Sequence, residues 1–401
     1  MKSDNSQTLW RLPDGMDEML PQQARAVEWL RRAIYDMHIG WGYLPVEPPV
    51  VEFLDSLLSG TGRDFERQTL KVADPLSGQM MGVRADMTPQ VARIDAHQMC
   101  STDVSRLFYL GTVVRAETDG LEKNRAPLQI GAEIFGHEDT QSDVEIIRLM
   151  ISALSCAAIQ DIHLDLGHVG VFRGICDVIG LNDLDQAELF DLLQRKAIPD
   201  IGSFASRKGI EEKTANLLCR LCLMNGDESV LQRARSELSA LGSDLVTGAL
   251  DEMQLISDSL GSLPLNATLH FDLAEIRGYQ YHTGIVFAAY TPGSGTEIAR
   301  GGRYDGIGER FGRARPATGY SADLKQLMRL IGYDRLAEQF GTPAGQRAIL
   351  CPADQCPDLQ TTVSQLRAQG EVVVFDLAGL DRSFCERTIV KKEGKWSVEN
   401  L

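Results

Sequence analysis

The chain has 401 residues, 43% hydrophobic and 24% charged, the balance of a soluble globular protein with room for two or three domains. A formal net charge of −16 argues against a nucleic-acid partner, and the longest nearly apolar run, 149–159, falls far short of the roughly 20 residues a membrane helix needs. Residues 1–8 are polar rather than a secretory leader, and eight cysteines without an even framework suit a reducing compartment, so the expected location is cytoplasmic.

Residues 1–12 read as a disordered lead-in. A helix follows with Val27, Leu30, Ile34 and Met37 at helical spacing, ended by Gly40 and Gly42. Pro48-Pro49 excludes a central ladder position and marks a sheet edge. Residues 69–84 form a hairpin pattern around Asp74-Pro75-Leu76-Ser77-Gly78. In Asp86-Met87-Thr88-Pro89, Thr88 stands as an N-cap and Pro89 as the first helical residue. Capping thus explains Thr88 and leaves Asp86 unexplained.

Residues 107–136 carry two strand-like runs about a charged loop, an antiparallel hairpin. In the second run Leu128, Ile130, Ala132 and Ile134 share one face, and Gln129, Gly131 and Glu133 the other. In the first, Tyr109, Gly111 and Arg115 oppose Phe108, Leu110 and Val114. A half-buried hairpin alternates the same way, but glycines inside a polar face mark the close approach of a ligand, so this face reads as a pocket floor.

Further on, Ser142-Asp143-Val144-Glu145 has the form of a capping box opening a helix, and 162–166 returns to the sheet. Residues 170–262 are nearly all helical in pattern and show no chemistry of their own. Cys219-x-x-Cys222 lies there without a second pair to complete a metal site, so both read as helix-core cysteines. The sheet resumes near Leu269, followed by Arg277-Gly278-Tyr279-Gln280-Tyr281-His282-Thr283-Gly284, a strand over 297–300 and Gly301-Gly302-Arg303-Tyr304-Asp305-Gly306. Gly319-Tyr320-Ser321 is expected to open a helix bearing Leu324, Leu327, Met328 and Ile331. The tail reads as strand 348–351, helix 358–368, strand 371–377 and a hairpin over 388–399 turning at Glu393-Gly394.

These stretches together resemble the histidyl-tRNA synthetases of class II. Tyr109-x-Gly111, Arg115 and Gln129-x-Gly131-x-Glu133-x-x-Gly136 are similar to motif 2, 48–52 to the dimer-interface strand of motif 1, and the Arg277 and Gly301 runs to family signatures. The resemblance covers residues 15 to about 331. It implies an α+β fold: a class II synthetase-like antiparallel sheet flanked by helices over 1–334, with a helical insertion at about 170–262. A small α/β domain over 335–401 is too short for a full anticodon-binding domain.

The resemblance breaks where ATP is handled. The motif 3 arginine position holds Gln326 in Asp323-Leu324-Lys325-Gln326, Pro127 replaces an adenine-stacking aromatic, and Gln280 and His282 replace Asp and Tyr of the imidazole pocket. This pattern of loss closely resembles the family of regulatory subunits of ATP phosphoribosyltransferase. It implies a homodimer within a hetero-oligomer containing a short-form catalytic subunit, with no catalytic residue, metal or cofactor of its own, and no membrane or nucleic acid. L-Histidine is the implied allosteric ligand. Its expected binding residues are Asp86, Thr88, Arg115, Gln129, Glu133, Arg277, Tyr281 and His282, with the acids facing an ammonium, Arg277 a carboxylate, and Tyr281 and His282 an imidazole. Glu133 merely pairing with Arg115 or Arg277 is the bland alternative. A working histidyl-tRNA synthetase and a free-standing histidine-binding paralogue are the competing functions; co-purification with a transferase, with tRNA or with neither separates the three.

Overall fold

A computed structural model describes residues 11–59, 63–117, 124–262, 266–333, 335, 348–354 and 356–401. Most of the expected lead-in and the tip of the central hairpin lie outside these residues. The chain divides into two compact units, Met1–Tyr333 and Asp334–Leu401.

In the first unit, helix α1 (Pro21–Gly40) buries Val27, Leu30 and Ile34 as its spacing dictates. It leads to β1 (Leu44–Pro45), then β2 (Val51–Phe53), the short helices α2 (Leu54–Leu58) and α3 (Arg63–Gln68), and the hairpin β3 (Leu70–Ala73) and β4 (Met80–Val83). Helix α4 (Thr88–Arg93) continues into a π-helical turn, Ile94–Met99. The central hairpin is β5 (Ser105–Thr112) and β6 (Leu128–Phe135). Helix α5 (Thr140–Cys156) and β7 (Ile162–His168) follow.

The insertion is helical, as its pattern requires: α6 (Val169–Ile179), α7 (Asp183–Gln194), α8 (Ile198–Lys208), α9 (Glu212–Leu221), the two-residue β8 (Asn225–Gly226), α10 (Ser229–Leu238) and α11 (Asp244–Gly261). Cys219 lies on α9, and Cys222, buried, caps its end. Strands β9 (Ala267–Asp272), β10 (Ile285–Tyr290), β11 (Ala299–Arg303) and β12 (Ala317–Asp323) and helix α12 (Leu324–Ile331) complete the unit.

Nine strands form one sheet in the order β1-β5-β6-β12-β11-β10-β7-β9-β8, antiparallel except for β1–β5 and β7–β9. A separate sheet has the order β2-β4-β3. Every residue of β6 is buried, so the sheet is covered on both faces rather than one. On one face Phe108 stacks on His38 of α1 at 4.8 Å and meets Tyr35 edge-on. Full burial of each large aliphatic such as Ile130 or Ile34 contributes about 1.5–3 kcal/mol. On the other face Glu133, Tyr109 and Thr88 converge, which is where the cavity lies.

Three local expectations are corrected. Residues 319–321 lie within β12, paired with both β6 and β11, and the helix begins only at Leu324, where the Asp323 side chain accepts from Lys325 N–H. Helix α5 starts before the proposed capping box, at Thr140; Ser142 Oγ bonds the Asp139 carbonyl and Glu145 pairs with Arg106 across the fold. Asp143 is held by Arg303 at 2.7 Å in a buried ion pair. The Thr88 side chain does not cap α4; Asp86 does, its Oδ1 accepting the Thr88 N–H at 2.9 Å.

In the second unit, β13 (Ala348–Cys351), α13 (Pro357–Ala368), β14 (Val373–Phe375), β15 (Cys385–Lys392) and β16 (Lys395–Asn400) give a sheet ordered β14-β13-β15-β16. Both contacts of β13 are parallel and β15–β16 is an antiparallel hairpin, turning through Glu393 and Gly394 at positive φ. Ile349, Cys351, Leu359, Val363 and Ile389 form its own small core.

Candidate functional site

A cavity of about 630 Å³ opens on the polar face of the central sheet. Glu133 forms its floor from the middle of β6, opposite Gly319 of β12. A Cβ at 319 would overlap Glu133 Oε2, so glycine there is a packing requirement. Thr88 Oγ and Tyr109 OH each donate to Glu133 Oε1 at 2.9 Å, and Tyr304 OH donates to Oε2. Burial pushes the Glu133 carboxyl up to about 8 even though the three hydroxyls oppose the shift. Burial thus favours the protonated carboxyl at neutral pH. Glu133 is held by these three hydroxyls, and the partners of Arg277 are Glu275, Glu297 and Tyr290.

Asp86 sits beside it on the turn into α4. Its Oδ1 accepts from Thr88 N–H and, at 2.8 Å, from Gln129 Nε2, whose Oε1 takes the Met87 N–H. Both ends of the Gln129 amide are thus engaged behind Asp86 and orient it. Asp86 Oδ2 takes no hydrogen bond from the described residues and the side chain lines the cavity, an acceptor suited to an ammonium group.

The ring wall comes from 279–282 and 304. Tyr281 stacks on Tyr304 at 5.2 Å and meets the His282 ring edge-on at the same distance. The Tyr281 hydroxyl is buried without a hydrogen-bond partner among the described residues. His282 Nδ1 lies 3.2 Å from the Arg303 carbonyl, and burial drives its imidazole down to about 4. A neutral ring that donates from Nδ1 to that carbonyl leaves Nε2 as an acceptor. One guanidinium nitrogen of Arg173, on α6, donates to the Tyr279 and His282 carbonyls at 2.7 and 2.8 Å. Phe190 of α7 packs on Tyr279 at 4.6 Å and lines the cavity, so the helical insertion contributes to the site that its sequence did not disclose.

Of the expected residues, Asp86, Thr88, Glu133, Arg277, Tyr281 and His282 line one cavity. Gln129 stands behind it. Arg115 lies beyond the end of β5, bridged by its backbone to Thr69 and to Arg125, and is not on the cavity wall. Tyr109 lies on the expected pocket face, whereas Tyr304, Tyr320 and Glu275, which line the cavity, were not foreseen. Tyr304 follows directly on Gly301-Gly302-Arg303, and its hydroxyl was the available signal.

Gln326 gives its amide to Thr296 Oγ1 and the Glu297 carbonyl at 3.1 and 2.9 Å, and Lys325 pairs with Asp17 at 2.7 Å. Arg277 is clasped by Glu275 and Glu297, and Arg300 by Glu297.

Residues 15–327 match the family model described as histidyl-tRNA synthetase, and residues 346–399 match the ATP phosphoribosyltransferase subunit HisZ C-terminal domain. The chain is 46% identical to the ATP phosphoribosyltransferase regulatory subunit of Thioalkalivibrio sulfidiphilus, covering 98% of both chains. It is 48% identical to that of Methylococcus capsulatus over 92% of this chain and 90% of the relative. The crystal structure of an ATP phosphoribosyltransferase regulatory subunit/histidyl-tRNA synthetase from Bacillus halodurans is similar with TM-score 0.79 and 26% identity, covering 93% of this chain and 94% of that one. Histidyl-tRNA synthetase from Nostoc shares the fold at 17% identity and TM-score 0.74, covering 98% and 97%. A synthetase-like core ending in the HisZ C-terminal domain, with close relatives over nearly its full length, gives one assignment: the chain belongs to the family of ATP phosphoribosyltransferase regulatory subunits.

Proposed function

We propose that this chain activates a short-form ATP phosphoribosyltransferase catalytic subunit, carries no chemistry of its own, and makes the complex sensitive to L-histidine. The observation that carries this reading is the contrast between the amine and ring ends of the cavity and its arginine-bearing end. The amine end keeps Asp86 Oδ2 and Glu133 on a frame of Thr88, Gln129 and Tyr109, and the ring end offers Tyr281 OH and His282 Nε2. At the other end, the two lining arginines, Arg277 and Arg300, are both paired with carboxylates, and the motif 3 position is a neutral glutamine.

Adenylation develops charge on phosphate, and losing one preorganised cation costs on the order of 10²–10³ in rate. Histidine-dependent pyrophosphate exchange should therefore be absent; exchange at a synthetase's level would favour the working-enzyme reading instead. In the assembled transferase, Glu133→Gln should weaken inhibition by histidine. Unchanged inhibition in that variant would place the effector elsewhere. Cytoplasmic assembly suits such a role, and no helix among the described residues is long and apolar enough to cross a membrane.

A further inference from the structure

Arg277, the residue expected to meet a ligand's carboxylate, already holds one. Its Nε donates to Glu275 Oε1 at 2.9 Å and its Nη2 to Glu275 Oε2 at 2.8 Å, the two-point fork that a free carboxylate would take. Nη2 also reaches Tyr290 OH at 2.6 Å, and Nη1 reaches Glu297 Oε2 at 3.3 Å. These four bonds leave one of the guanidinium's five N–H groups. Glu275 is itself fixed: Oε1 accepts the Arg277 backbone N–H at 3.2 Å, and its side chain is only 14% exposed. The charge of the lining agrees. With Glu133 protonated, Asp86, Glu275 and Glu297 still face only two guanidiniums, Arg277 and Arg300, so an incoming carboxylate adds to an acidic excess while an ammonium relieves it.

We propose that Glu275 stands in for the ligand's own carboxylate, so that the cavity takes compact aromatic amines and reads their ammonium and ring without reading a carboxylate. This rests on the amino-acid reading of the cavity given above. Histidine binds, in this view, with its carboxylate tolerated at the rim, and its amide binds as well. Removing Glu275 frees the fork and turns the cavity into a reader of amino acids.

The test is isothermal titration of L-histidine and L-histidinamide, at a pH where both amines are protonated, into the intact wild-type chain, Glu275→Gln, Glu275→Ala and Glu275→Ala/Arg277→Gln. Wild type should bind the two ligands within about threefold of each other. Glu275→Ala should raise histidine affinity by about tenfold with little change for histidinamide, and adding Arg277→Gln should cancel the gain. Glu275→Gln, which keeps the side chain's shape, should shift the same way if the alanine variant fails to fold. A wild-type preference for histidine beyond about tenfold, or no gain in any folded Glu275 variant, overturns the stand-in while leaving the site itself intact. Failure of both ligands to bind any of the proteins rejects the amino-acid reading, and the stand-in with it.

Discussion

Glu133 sets the chemistry at the scale of single residues. The unfolded chain ionises it near 4.5 and the folded one near 8, so in that interval the native state holds a proton the unfolded state has lost. Its contribution to stability therefore falls as pH rises through the window and is constant above it. Denaturant unfolding should show the wild type losing stability relative to Glu133→Gln between pH 4.5 and about 8, at up to roughly 1.4 kcal/mol per unit; parallel curves would contradict the protonated floor. An ammonium bound against Glu133 and Asp86 favours the ionised form. Histidine binding near neutral pH should then release a proton, which titrations in buffers of different ionisation enthalpy would detect. Gly319→Ala forces Glu133 from its place and should cost roughly 1–3 kcal/mol together with histidine binding.

Among the elements, the central hairpin was legible because its alternation survives in the fold: Tyr109 and Glu133 face the cavity while Phe108 faces α1. Strand β12 was not. Gly319 lowers strand propensity and the apolar spacing from Leu324 suggested one continuous helix, but the glycine is dictated by Glu133 on the neighbouring strand, a contact no local window contains. The same holds for Thr88, whose hydroxyl serves Glu133 while Asp86 caps the helix, and for the supposed capping box, whose acids answer to Arg303 and Arg106. Glu275 was invisible because its meaning lies in the fork it makes with Arg277.

Strand β2 bears on assembly. Val50, Val51 and Phe53 are exposed around the motif 1-like segment, with Val72 and Met80 exposed on the β3–β4 hairpin paired with it. Such a patch suits burial against a second copy. The chain should sediment as a dimer at micromolar concentration and Phe53→Asp should shift it toward monomer; an unchanged sedimentation coefficient in that variant would exclude this surface.

For the molecule as a whole, the synthetase-like unit carries a cavity with acidic and aromatic lining in which Arg277 and Arg300 are paired with carboxylates. The second unit, with its own small core, matches the HisZ C-terminal domain instead of an anticodon-binding module. On the proposed reading, regulation is a coupling free energy between this cavity and the partner's active site, so it is visible only in the assembled complex. Reconstitution with a short-form ATP phosphoribosyltransferase catalytic subunit is the most direct measurement. Transferase activity should rise on adding this chain, fall again with histidine, and resist histidine when Glu133 is replaced by Gln. Activity indifferent to the chain, or to histidine in its presence, would contradict the regulatory assignment of this cavity.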